Sequence, residues 1–321
     1  MTTMQNIEIN DQVQSLLDAT NAIFPGKVEL QFIGQLQVGY VRHDQAQTVQ
    51  DKDHIMVQVS DLTAPNYTAS HELLHLLMTL RGFPQIYFAV SRGNDTLDEQ
   101  LMMLATELYD IVSHQVVVSE QRKHGLIDDT IEAEYLKGVQ ATIKPEPNPV
   151  DDEMTLRLMT VLDALVFFGD NADIKAQFAK DYPVTLPAAQ KLYDVITEKP
   201  VDSPFTLRRN VVKLFKAFDA QLQTWGFPPL NNQEFTTLSS VLSERQLRLE
   251  VRQLFELFHS DMVDIKTQRR AYVGINRADG QNSFVISAPK PEDDTPDYYK
   301  DIYGMTVADL FKKMEMPYII R

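Results

Sequence analysis

An apolar stretch over residues 68–80 carries His71, Glu72 and His75, and this segment constrains the fold more than any other. It is too long for an ordinary strand and has leucines on every side, so it reads as a buried helix. Residues four apart on an α-helix lie one above the other, so His71 and His75 can aim their imidazole nitrogens at one metal ion. Glu72 is offset by about 100° around the helix. That offset keeps its carboxylate beside the ion, where it can act as general base on a water that the ion activates. Two satisfied core histidines are the alternative reading. Burying two rings and a carboxylate together, however, demands a compensation that a cation supplies.

The chain has no cysteine, which removes disulfide scaffolds, thiolate metal sites and cysteine nucleophiles. A metal must therefore be held by His, Asp or Glu. The formal charge of −15 over 321 residues repels a phosphate backbone, and the basic pairs Arg208-Arg209 and Arg269-Arg270 read as solvated helix ends. No nucleic-acid partner is expected. No apolar run reaches the roughly 18 residues that span a bilayer, and residues 159–169, the most apolar stretch, are interrupted by Asp163. The opening residues lack the basic-then-apolar pattern of a secretory signal. The expected setting is cytoplasmic, without a membrane partner; oligomeric state is left open.

Periodicity places a helix at residues 10–23, strands at 27–33, 36–42 and 55–60, a short strand at 85–90 and a helix from 95 or 96 to 118. Pro145, Pro147 and Pro149 mark a boundary. It divides the chain into a metal-site domain at 1–145 and a mainly helical domain at 150–321. Helices are expected there at 152–168, 187–197, 204–225, 236–259 and 306–314, with one β-hairpin over 271–288. The fold class is therefore α+β. His43, Asp44, Asp51, Asp53 and His54 read as a solvated loop, and His259-Ser260-Asp261 as the end of a helix. No Gly-x-Ser-x-Gly, phosphate-binding loop or dinucleotide fingerprint occurs.

The segment from Thr68 to Leu77 resembles the signature of the zincin metallopeptidases, with Thr68 at the first flank, uncharged residues between Glu72 and His75, and Leu76 and Leu77 after them. The resemblance implies a zincin-like first half and a zinc-dependent metallopeptidase acting on a peptide or protein. Its metzincin branch needs a glycine and a third histidine where this chain has Met78 and Arg81. The gluzincin branch takes a glutamate from the following helix, which implies Glu107 as third ligand, Asp110 as the carboxylate steadying a bound imidazole, and His114 as a transition-state donor. On a helical wheel Glu107, Asp110 and His114 fall within about 60° of one another. Asp110 follows Glu107 by three residues where the best-known pattern has four. Asp110, His114 and Glu99 remain competing ligands. In zincins the sheet edge near the metal pairs with extended substrate, and residues 55–60 are the matching segment. The rival reading is an inactive zincin-like protein that uses the metal for stability or a surface to bind a protein partner.

Overall fold

The computed structural model describes residues 4–5, 7–148, 151–290, 295 and 297–321. It is a mixed structure, 51% helical and 20% strand, which makes the class α+β. Two units interleave along the chain: Met1–Arg81 with Ser113–Asp194, and Gly82–Val112 with Val195–Arg321. The division differs from the expected one, because Pro145 and Pro147 lie inside the first unit; Pro149 is outside the described residues.

The first unit is built on a four-stranded sheet of β1 (Met4–Gln5), β2 (Lys27–Leu36), β3 (Ala46–Asp51) and β4 (His54–Asp61), in the order β1-β2-β4-β3. β4 runs parallel to β2 and antiparallel to β3. Its burial alternates, with Ile55, Val57 and Val59 inside, as a strand with one face on a core requires. Residues 55–60 are thus interior to the sheet, and the edge is β3, almost wholly exposed. The strand expected at 36–42 does not form. β2 continues to Leu36 through a register shift at Gly34, whose φ of 78° suits glycine, and an irregular loop follows.

Helix α1 (Asp11–Ile23) starts where the Asn10 side chain accepts from Val13 N. Helix α2 (Pro65–Leu80) has proline in its first turn and packs on α1, β3 and β4. Helix α3 (Asp95–Lys123) continues past the expected end. By length and composition α3 can cross a bilayer, yet more than half of its most apolar stretch is buried inside the protein. Helices α4 (Asp129–Thr142), α5 (Met154–Phe168), α6 (Ala172–Asp181) and α7 (Thr185–Thr197) follow. α4 is absent from the expected elements, because Gly138 in its interior weakens the helical signal.

The second unit contains helix α8 (Pro204–Thr224), opened by a Ser203 capping box. Its main sheet joins β6 (Val90–Ser91), β9 (Phe255–Asp264), β10 (Arg270–Asn276) and β11 (Asn282–Ser287), while β5 (Ile86–Tyr87) pairs with β7 (Thr237–Leu238) and β8 (Ser240–Leu242) with β12 (Tyr318–Ile320). The hairpin is present as β10 and β11. The helix expected over 236–259 is not: Ser243 and Glu250 each open a helix of one turn, and β9 follows. Two successive capping boxes break the helical repeat. His259 accordingly lies in a strand opposite Tyr272, with Ser260 buried and Asp261 paired to Arg270, instead of capping a helix.

Gly138 shows how α4 anchors the loop before β3. A Cβ built there would lie 2.0 Å from the Val41 carbonyl oxygen, and Val41 N donates to Glu134 O at 3.1 Å. Gly138→Ala gains about 1 kcal/mol of helix propensity but drives a methyl into backbone, an overpacking cost of about 1–3 kcal/mol or more. The variant should be net destabilised in urea denaturation. A gain of about 1 kcal/mol, as propensity alone gives, would show that the loop yields freely.

Candidate metal centre

Helix α2 presents His71 and His75 on one face, as the four-residue spacing requires. Their Nε2 atoms are 3.2 Å apart and their ring centroids 4.8 Å. His71 is buried and His75 half-buried. Glu72, one step round the helix, is half-buried and accepts from Thr48 Oγ1 on β3 at 3.4 Å. The edge strand therefore steadies the carboxylate.

His114 of α3 joins the same cluster. α3 is tied to α2 by buried Gln121, whose amide donates to Tyr67 O at 3.0 Å and Ser70 Oγ at 2.9 Å. That contact lays the His114 ring against the α2 histidines, with centroids 4.9 Å from His71 and 5.3 Å from His75. Its Nδ1 is 2.6 Å from Asp163 Oδ1 on α5. Asp163 also lies 3.0 Å from His43 Nδ1 and accepts from the Tyr135 hydroxyl at 2.9 Å. His43 comes from the loop between β2 and β3, with Nε2 3.2 Å from the Tyr67 hydroxyl. Its ring stacks on His71 at 4.3 Å and meets His114 edge-on at 4.1 Å.

Burial holds His71 and His75 well below the ordinary imidazole value, and the neighbouring rings push in the same direction. His114 is lowered as well, by burial first, although Asp163 pulls against it. Burial alone would raise Asp163, but the His114 and His43 rings outweigh it and hold the carboxyl well below its usual range. Burial raises Glu72, opposed by the Thr48 hydrogen bond and by His43. The His71, His75 and His114 rings are thereby held toward their uncharged form, with lone pairs to offer, beside one anion. That is the donor chemistry a borderline cation such as zinc requires.

His43, His71 and His114 offer ligand atoms within 4.8 Å of one another. Glu107 is exposed and Asp110 half-buried on α3, and Glu99 is exposed near its start. Asp44, Asp51 and Asp53 are exposed, as a solvated loop implies, and His54 pairs with Glu29 at 2.9 Å. His43 and Asp163 are the residues that sequence reasoning placed elsewhere. His43 was hidden among polar loop residues with no fixed spacing. Asp163 had a signal of its own: a carboxylate in the middle of the most apolar helix needs a cationic or hydrogen-bonding partner. Comparison with protein-family models, with curated proteins and with solved structures gave no match.

In the presence of a chelator, Asp163→Asn should cost at least about 2 kcal/mol in urea denaturation, because several buried donors then face a poorer acceptor. Tyr135→Phe removes one of those donors and should cost about 1 kcal/mol. Equal losses in the two variants would show that Asp163 is not the shared anchor.

Proposed function

We propose that this chain is a zinc-dependent metallopeptidase of the zincin type, with His71, His75 and His114 holding the ion and Glu72 as general base. The triangle of rings carries the reading. An imidazole centroid lies about 3.2 Å from a zinc bound at about 2.0–2.1 Å, so two rings at the tetrahedral angle stand about 5.2 Å apart. The observed separations are 4.8, 4.9 and 5.3 Å. Two nitrogens on such an ion are about 3.3 Å apart, against 3.2 Å for His71 and His75.

The alternative set with His43 fits less well. The His43 and His71 planes are 10° apart in a stack, so an ion in the plane of one ring is out of the plane of the other. Both His43 nitrogens are also engaged, by Asp163 and Tyr67. Glu107 lies two helical turns before His114, about 10.5 Å of rise, and it is exposed. The reading therefore takes His114 as third ligand in place of Glu107, and Asp163 in place of Asp110 as the carboxylate that orients a bound imidazole. The transition-state role expected of His114 is given up with it.

Zinc at this position would polarise a scissile carbonyl and make water acidic. Glu72, steadied by Thr48, is placed to take the proton of the attacking water and pass it to the leaving amine. β3 is a terminal strand of its sheet. An extended peptide can pair with its outer side through main-chain hydrogen bonds, next to Glu72.

Protein purified without added metal should contain stoichiometric zinc, and the double variant His71→Ala, His75→Ala should contain none. Glu72→Gln should keep the ion and lose about 10²- to 10⁴-fold in cleavage of a mixture of unstructured peptides. Equal zinc in the double variant would rule out the metal site. Retained zinc with undiminished cleavage by Glu72→Gln would rule out the general base. Bound zinc with no cleavage of any peptide by the wild type would assign the centre a structural or protein-binding role.

A further inference from the structure

We infer that His43 is the positioning residue for the His71 ring, achieving by stacking what a hydrogen bond achieves for His114. The inference rests on the reading of His71 as a metal ligand. A ligating imidazole is ordinarily fixed by a hydrogen bond at its other nitrogen. His114 has that bond, from Nδ1 to Asp163 at 2.6 Å. His71 lacks it: Nδ1 is buried and finds no partner among the described residues.

The face of the His71 ring is covered instead. His43 lies on it at 4.3 Å with planes 10° apart, while Tyr67 is 6.1 Å away and tilted by 31°. His43 is held at both ends, Nδ1 at 3.0 Å from Asp163 Oδ2 and Nε2 at 3.2 Å from the Tyr67 hydroxyl. With Nδ1–H donated to the carboxylate, Nε2 is left to accept the Tyr67 proton, so the ring cannot turn without breaking both contacts. The loop beneath it is fixed in turn by Val41 N on Glu134 O. Asp163 therefore orients two rings of the centre, His114 directly and His71 through His43. The stack asks only for a flat ring at position 43, whereas a ligand or proton-transfer role there asks for nitrogen.

The test compares wild type, His43→Ala, His43→Phe and His71→Ala as full chains. The readouts are zinc affinity by chelator competition and the visible spectrum of the cobalt-substituted protein, with thermal unfolding in chelator to confirm folding. His43→Ala should weaken zinc binding about 10- to 100-fold, the usual cost of losing an orienting partner, and should alter the cobalt spectrum. His43→Phe keeps a ring that can cover His71 and should return affinity to within a few-fold of wild type, with the wild-type spectrum.

Unchanged binding by His43→Ala overturns the inference. So does a His43→Phe variant no better than His43→Ala, which is what a ligand or a purely polar role would give. Should His43→Ala fail to fold, His43→Leu supplies a bulkier replacement. It fills the space without offering a flat face and should weaken zinc binding about 10-fold; no change would again overturn the inference. If wild type takes up no metal, or His71→Ala binds it equally well, the metal-centre reading itself fails and removes this inference with it.

Discussion

The carboxylate of Asp163 is the contact on which the first unit turns. It stands on α5, among some of the most apolar residues of the chain, and gathers the His114, His43 and Tyr135 side chains from α3, the loop before β3 and α4. A carboxylate left alone in such a helix would cost several kcal/mol or would be driven to its neutral form. Pairing with imidazoles keeps it ionised and, in the same act, fixes where those rings can point. Three segments far apart in sequence are thereby brought to the face of α2 that carries His71 and His75.

The cluster is also an electrostatic compromise. Burial keeps the α2 rings uncharged, so like charges do not accumulate although four imidazoles crowd together. Glu72 stands at the border of this group, half-buried on one side and tied to the edge strand by Thr48 on the other. A carboxylate so placed is neither dissolved in water nor committed to a salt bridge. Its position follows from the order of the sheet, in which β3 and not β4 forms the edge beside α2.

The second unit manages its buried charge in another way. Arg208 on α8 is 3% exposed, and its guanidinium reaches Asp279 as well as the carbonyls of Leu238 and Ser239. A planar fork with five donors suits several acceptors at once. The result joins α8 to the strands around it, with the aromatic cluster of Phe255, Phe284 and Phe311 forming an apolar core of the same unit. The basic pair Arg208-Arg209, read from sequence as solvated, contains a buried side chain, because charge alone does not say which way a helix face points.

Local pattern was enough for what depends on local geometry. The spacing of His71 and His75, the offset of Glu72, the helical character of residues 68–80 and the hairpin over β10 and β11 all follow from local pattern along the chain. Elements failed where a local signal ran against the longer apolar repeat: the capping boxes at Ser243 and Glu250, which give two one-turn helices and then β9 in place of one long helix, and the glycine inside α4. The sequence by itself determined that two imidazoles and a carboxylate share a helix. Only the tertiary structure decided that His114 stands with them, that Asp163 anchors the group, and that His43 covers it. Those choices depend on which helix faces pack together and on where a loop is pinned by Val41 and Gly138, and no periodicity along the chain records a contact between segments that distant.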